Sequence, residues 1–264
     1  MRQWLWVLMW LSVGNASQST HLLVFGGGDL PQDGVQRLVE LAKGENPHIL
    51  YIPWADEDDF TSRVARLRIR LNEEFPVKVS YADKFEVVEK DIPEFIRNLP
   101  QYTGVYFGGG IQTRVMEIMD AHQDLFLALK AKYLSGTVFS GNSAGLAIMS
   151  QTMITGEGSL EEIGPNAIET RSGMGLVRLA VLDQHYIRRN RVQRLLSVLM
   201  GARERYGIGV DENTGVYIKD GRDVEVVGDR SVVVVDSAEV PGKFTVQVLK
   251  AGAKFTLESS PSID

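Results

Sequence analysis

The feature that most limits what this chain can fold into is a short apolar strand broken by a glycine–serine–glycine turn. Val138-Phe139-Ser140 runs into Gly141-Asn142-Ser143-Ala144-Gly145, and the apolar run Leu146–Met149 opens what reads as a helix. A strand that reverses into a helix this abruptly leaves no room for side chains on either side of the serine, which explains both glycines. Such a turn lifts the hydroxyl of Ser143 clear of the sheet. It also sets the Ala144 backbone N–H and the helix N-terminus where negative charge would develop on a substrate carbonyl. Glycine-rich turns with a capping serine are common, so the strand–turn–helix context is what favours a nucleophile here.

The flanking sequence alternates strand and helix patterns. His21–Phe25 enters Gly26-Gly27-Gly28 as a buried strand would enter a turn. Val35, Leu38, Val39 and Ala42 then recur at helical spacing, and Ile49–Ile52 before Pro53 is a second strand. Phe60, Val64, Leu67, Leu71 and Phe75 form the apolar stripe of an amphipathic helix. Arg63, Arg66, Arg68 and Arg70 around it read as its solvated face. Val77–Ala82 and Val105–Phe107 continue the strand series, with a helix over Thr113–Lys132. This alternation predicts an α/β fold: a mostly parallel central sheet with helices on both faces.

After residue 205 short strands follow one another at Gly207–Val210, Gly215–Ile218, Val224–Val227, Val232–Val235, Phe244–Leu249 and Lys254–Leu257, with a hairpin turn at Asp220-Gly221. They are expected as a C-terminal antiparallel β extension of the same sheet system. No linker or repeat interrupts the chain, so residues 17–264 are read as one domain.

Composition closes off several chemistries. The 264 residues contain no Cys and four His, with a net charge of -6. Thiolate catalysis, Cys-ligated zinc and disulfides are excluded, and a His-rich metal site is not expected. Covalent catalysis would fall to Ser, Thr, Lys or a carboxylate. An acidic chain lacks the basic footprint of a nucleic-acid binder, so no nucleic-acid partner is expected.

Residues 1–16 read as a signal peptide. Arg2 precedes the ten-residue apolar run Trp4–Val13, and Gly14-Asn15-Ala16 supply small residues at the cleavage position. The run is shorter than the about 20 residues that span a bilayer. The alternatives are a buried N-terminal strand or a retained anchor. Cleavage near Ser17 would leave an exported protein, periplasmic or secreted, with no stable membrane anchor.

A serine nucleophile needs a base. Asp183-Gln184-His185-Tyr186 follows the apolar run Leu176–Leu182, which puts His185 at a strand's carboxyl end, where ligands collect in open α/β sheets. His21 and His48 precede strands and His122 falls inside a helix, so all three read as surface or packing residues. The base in turn wants an acid. Gly207–Asn213 is another strand entering a polar turn, and periodicity leaves Asp211 and Glu212 equally placed. Gly108-Gly109-Gly110 ends a further strand and offers the N–H groups of Gly109 and Gly110 for an oxyanion hole. Gly26–Gly28 reads as simple turn duty. Arg188, Arg189, Arg191 and Arg194 enter a helix, suited either to clamping carboxylates or to pairing with acids of the chain itself.

Together these motifs resemble the cyanophycinase branch of the serine peptidases related to peptidase E. The resemblance runs over roughly residues 22–257. It is carried by Gly141-x-Ser143-Ala144-Gly145, Asp183-Gln184-His185 with Arg189, Arg191 and Arg194, and Gly209-x-Asp211-Glu212. It implies a three-layer fold similar to class I glutamine amidotransferases and a Ser143–His185–Glu212 triad, with no cofactor. Cyanophycinases cleave cyanophycin, a poly-aspartate bearing arginine on its β-carboxyls, to β-aspartyl-arginine dipeptides. Gln112, Asp183, Gln184, Arg189, Arg191 and Arg194 would then belong to the pocket for a peptide or cyanophycin-like polymer. The chain departs from the family pattern at Ile111, where Asp or Asn is usual, at Asn142 in place of Thr, and at Trp54-Ala55. The alternatives are a peptidase E-like exopeptidase acting on short aspartyl peptides, or a non-catalytic binding protein on the same scaffold. A homodimer is left open.

Overall fold

The computed structural model describes residues 18–42, 46–56, 60–73, 76–159, 161–237 and 242–259. The signal peptide expected over residues 1–16 lies outside them. Strands and helices alternate through the first half. They are β1 (His21–Phe25), α1 (Gln32–Ala42), β2 (His48–Ile52), α2 (Thr61–Asn72), β3 (Lys78–Tyr81), α3 (Ile92–Asn98), β4 (Gly104–Phe107), α4 (Gln112–Ala121), α5 (Gln123–Leu134), β5 (Val138–Asn142) and α6 (Ala144–Ala147). The second half contains β6 (Thr152–Gly158), β7 (Ile168–Ser172), β8 (Ala180–Asp183), α7 (Val192–Gly201), β9 (Tyr206–Val210), β10 (Thr214–Lys219), β11 (Asp223–Gly228), β12 (Val232–Asp236), β13 (Thr245–Leu249) and β14 (Lys254–Thr256).

Eight strands form the main sheet in the order β14-β11-β10-β1-β5-β4-β2-β3. β1, β5, β4, β2 and β3 are parallel, and β10, β11 and β14 extend the sheet antiparallel beyond β1. The expected α/β architecture is present. β1 shows why: its five residues are all buried, with Leu22 and Val24 in the core on one face and Leu23 and Phe25 in the core on the other. A continuous apolar run of this kind is stable only when both faces are covered. α1 and α2 cover one face through Val35, Leu38, Val64, Leu67 and Leu71. α3, α4 and α5 cover the other through Phe95, Met116, Met119, Leu125 and Leu129.

The C-terminal strands divide in a way the sequence reading did not anticipate. β10, β11 and β14 join the main sheet, but β9, β12 and β13 pair with β8 in a separate sheet ordered β13-β12-β9-β8. The reason lies in β12, whose Val232–Val235 is apolar on both faces. Val232 and Val234 pack with the main-sheet core, while Val233 and Val235 pack under Leu195, Val198 and Leu199 of α7. A run apolar on both faces needs two covers, and only an interior layer supplies them. Asp220 and Gly221 both take positive φ, 53° and 68°, between β10 and β11, as the expected hairpin turn requires.

Two local readings are corrected. The helix expected over Thr113–Lys132 is two helices broken at His122, which has left helical geometry (φ -130°, ψ 79°). The break turns Leu125, Leu129 and Tyr133 of α5 into the core, which one straight helix continuing Met116 and Met119 would not achieve. β6 and β7 form a hairpin that the sequence reading left unassigned, and its strand β6 reaches the site described next. His21 and His48 are buried within strands, bonded to Tyr217 (2.7 Å) and Ser80 (2.9 Å), in keeping with a packing role.

Candidate active site

β1, β4 and β5 lie side by side, so the turns at their carboxyl ends converge. At the end of β5, Ser143 takes φ 56° and ψ -109°, a conformation rarely populated by any residue with a Cβ. Its flanking glycines are obligatory. A Cβ on Gly141 would lie 2.4 Å from the Gly145 oxygen, and one on Gly145 would lie 2.2 Å from the Phe107 oxygen. The Ser143 N–H donates to Phe25 O (3.0 Å), tying the turn to β1.

His185 approaches from the other sheet, two residues past β8 and also at positive φ (47°). Its N–H donates to Gly26 O (2.6 Å). Its imidazole fills the space a side chain at Gly27 would take, since a Cβ there would lie 2.1 Å from the ring. Of the three glycines Gly26–Gly28, read as plain turn glycines, Gly27 thus makes room for this ring, while a Cβ on Gly26 would meet Val210 O and one on Gly28 would meet Asn213 Oδ1. The Nε2 of His185 lies 3.0 Å from Ser143 Oγ, and its Nδ1 lies 2.7 Å from Glu212 Oε1. Between the two carboxylates left open by periodicity, Glu212 meets the imidazole. Asp211 turns away and accepts the Arg188 N–H (2.9 Å). With Nδ1–H donated to Glu212, Nε2 presents a lone pair to the hydroxyl.

Burial pulls the His185 pKa below its ordinary value of 6.5. The hydrogen bond to Glu212 opposes the fall, while Arg189 and Arg191 add to it. The ring is therefore held neutral near pH 7, as a proton acceptor must be.

The Gly108–Gly110 loop borders the serine. The Gly108 and Ile111 N–H groups bond Ile52 O (3.0 Å) and Ala55 O (2.7 Å). Those of Gly109 and Gly110 have no backbone partner among the described residues. Arg63 donates to Gly109 O (2.9 Å), and across a trans peptide this aims the Gly110 N–H the opposite way. Ala144 opens α6, so no carbonyl of an earlier helical turn takes its N–H.

The remaining expected pocket residues are placed unequally. Gln184 lines the cleft with its Oε1 3.4 Å from Ser143 Oγ. Arg189 and Arg191 line it too. Arg191 donates to Gln184 O (2.8 Å), and burial together with Arg194 lowers its pKa to about 10. Gln112 is buried and ties α4 to β6 through Ile154 O (2.9 Å) and Thr155 O (2.7 Å). Asp183 and Arg194 bond each other through two contacts, Nε to Oδ2 at 2.8 Å and Nη2 to Oδ1, with both side chains almost wholly buried. That pair answers the self-pairing alternative for Arg194.

The sequence reading missed one wall. Arg63, Arg66 and Arg70 line the cleft together with Gly109, Ser143 and His185, so this solvent-accessible face of α2 is also a wall of the site. Only Arg68 turns elsewhere, to Val79 O (2.8 Å). The signal was present, because positions 63, 66 and 70 share one helix face and 68 does not.

The buried Asp183–Arg194 pair yields a stability test. Asp183→Asn strands a buried guanidinium and should cost about 3–5 kcal/mol, read as a lower urea midpoint at unchanged slope. Asp183→Leu combined with Arg194→Met should recover most of that loss. A single-variant loss under about 1 kcal/mol would show that the pair does not hold this turn.

Comparison with known proteins agrees with this architecture. The family model for peptidase family S51 matches residues 22–226. A cyanophycinase of Geminocystis herdmanii is 29% identical over 223 residues, covering 82% of this chain and 80% of that protein. A cyanophycinase of Trichormus variabilis is 30% identical over 227 residues, covering 84% and 75%. Among solved structures, a peptidase from an acI-B1 actinobacterium superposes with a TM-score of 0.68 at 21% identity, covering 91% of this chain and 98% of that one. A putative peptidase E protein from Listeria monocytogenes gives 0.59 at 15% identity, covering 80% and 99%. The fold and the family match over most of the length lead to one conclusion: this chain belongs to peptidase family S51.

Proposed function

We propose that the chain is a serine hydrolase that cleaves cyanophycin to β-aspartyl-arginine dipeptides, with Ser143 as nucleophile, His185 as base and Glu212 as the acid that orients it. The observation that carries this reading is the unbroken hydroxyl–imidazole–carboxylate chain, 3.0 Å and 2.7 Å long, at the bottom of an arginine-lined cleft. Similarity to cyanophycinases supports the substrate assignment.

In this mechanism the Ser143 oxygen attacks a peptide carbonyl as its proton passes to His185 Nε2. Glu212 fixes the tautomer with Nδ1 protonated and stabilises the imidazolium that forms. The N–H groups of Gly109, Gly110 and Ala144 hold the carbonyl oxygen as it becomes negative. His185 then returns its proton to the departing amine, leaving an acyl-enzyme. A water molecule, deprotonated by the same imidazole, attacks that ester and releases the acid with Ser143 restored. The reading also places the mature protein outside the cytoplasm, starting near Ser17. Amino-terminal sequencing of exported protein checks that part.

The direct test is product analysis after incubation with purified cyanophycin. β-Aspartyl-arginine is the expected product, and Ser143→Ala should lower its rate on the order of a thousandfold or more. Activity surviving that substitution removes Ser143 from the mechanism. Cleavage of short aspartyl dipeptides with the polymer left intact would favour the exopeptidase reading.

A second test concerns pH. His185 must be neutral to accept a proton, and burial with Arg189 and Arg191 lowers its pKa, so kcat/KM should fall on acidification with its midpoint below pH 6.5. Arg189→Gln removes one of the lowering cations, so the acid limb should move to higher pH. A limb that stays in place would show that Arg189 does not act on the imidazole.

A further inference from the structure

The cleft, about 1050 Å³, extends well beyond the serine. Its lining holds six arginines, Arg63, Arg66 and Arg70 on α2 and Arg189, Arg191 and Arg194 on and after the turn that follows β8, against three carboxylates, Asp29, Glu73 and Glu157. Most of these arginines have local work. Arg194 is held by Asp183, Arg63 by Asp56 (2.8 Å) and the Gly109 carbonyl, and Arg70 by Glu73 and the Leu30 carbonyl (3.0 Å). Arg191 donates to Gln184 O. Arg66 and Arg189 alone have no side-chain bond to an anion or carbonyl among the described residues. They stand in different layers: α2 packs on one face of the main sheet, whereas β8, which leads into the Arg189 turn, packs on the other.

Arg66 is the exposed member of the α2 trio, and it shares one helix face with Arg63 and Arg70 at three and four residues. Asp56 and Glu73 already pair with those two neighbours, so Arg66 is the α2 cation left to meet an anion in the cleft.

The geometry points to a carboxylate-binding wall on α2, centred on Arg66, that holds a free carboxylate of the substrate away from the bond presented to Ser143. The occupant is a peptide carrying several carboxylates, such as the arginine carboxylates that a cyanophycin-like polymer leaves free. Planar guanidinium groups suit such carboxylates because each offers a paired set of donors. This inference rests on the reading of Ser143 as the point of attack, which fixes where along the cleft the reacting bond lies.

Binding can be measured apart from catalysis. In a Ser143→Ala background, fluorescein-labelled penta-aspartate and penta-asparagine are titrated at low salt and followed by anisotropy. Penta-aspartate should bind at least about tenfold more tightly, the scale of one charge-assisted contact. Arg66→Gln should remove most of that preference and leave penta-asparagine unchanged. Lys250→Gln, on an exposed turn outside the cleft, removes the same charge and should change neither affinity by more than about twofold. Retention of the preference in Arg66→Gln overturns the proposal, as does an equal loss in Lys250→Gln, which would mark a general charge effect. Because turnover plays no part, failure of the serine mechanism leaves this result standing, and loss of the wall leaves the Ser143→Ala turnover test untouched.

Discussion

The imidazole of His185 packs against the bare backbone of Gly27, and the rest of the site depends on that contact. The ring occupies the position a side chain at residue 27 would need, and its own N–H is tied to Gly26 O at 2.6 Å. Two sheets meet there, since Gly27 follows β1 of the main sheet by two residues and His185 follows β8 of the smaller one by two. Ser143, His185 and Asn213 all take positive φ around this point, at 56°, 47° and 56°. Such conformations cost about 1–3 kcal/mol each and persist only where the surroundings fix them. Here the fixing elements are fully buried strands on both sides, which explains why a strained turn can sit at the mouth of each.

Electrostatics acts on the same ring from two directions. Burial, Arg189 and Arg191 disfavour its charged form, while Glu212 favours it. The balance leaves the ring neutral, a hydrogen-bond acceptor beside the Ser143 hydroxyl. The arginines that depress the imidazole also line the cleft. The Asp183–Arg194 pair stands apart from this. Buried, with Asp183 also accepting the Gln184 N–H (2.8 Å), it ties the start of α7 to the turn that carries His185, Arg189 and Arg191.

Much of this was legible in the sequence because local rules and tertiary demands coincide. The Gly141–Gly145 turn needs its glycines for reasons visible in the motif itself, and β1 reads as a two-face-buried strand from five consecutive apolar or strand-forming residues. The failures occurred where the deciding partner is distant. Val232–Val235 looks like any strand until α7 and the main sheet are both known to cover it. Asp211 and Glu212 are adjacent carboxylates whose directions depend on the turn at Asn213. The α2 arginines read as solvated because nothing local shows that the cleft opens above them. Their shared face at 63, 66 and 70 was the available clue. His122 breaks a helix that composition would carry through, since core packing of α5 outweighs propensity there.

The claim that a hydroxyl, an imidazole and a carboxylate work as one unit is tested most directly by chemical trapping. Folded protein is treated with a fluorophosphonate, digested, and the modified peptide located by mass spectrometry. A single adduct on Ser143, formed far more slowly in Glu212→Ala, is the expected result. An unmodified Ser143 in folded protein, or an adduct confined to another serine, would contradict it.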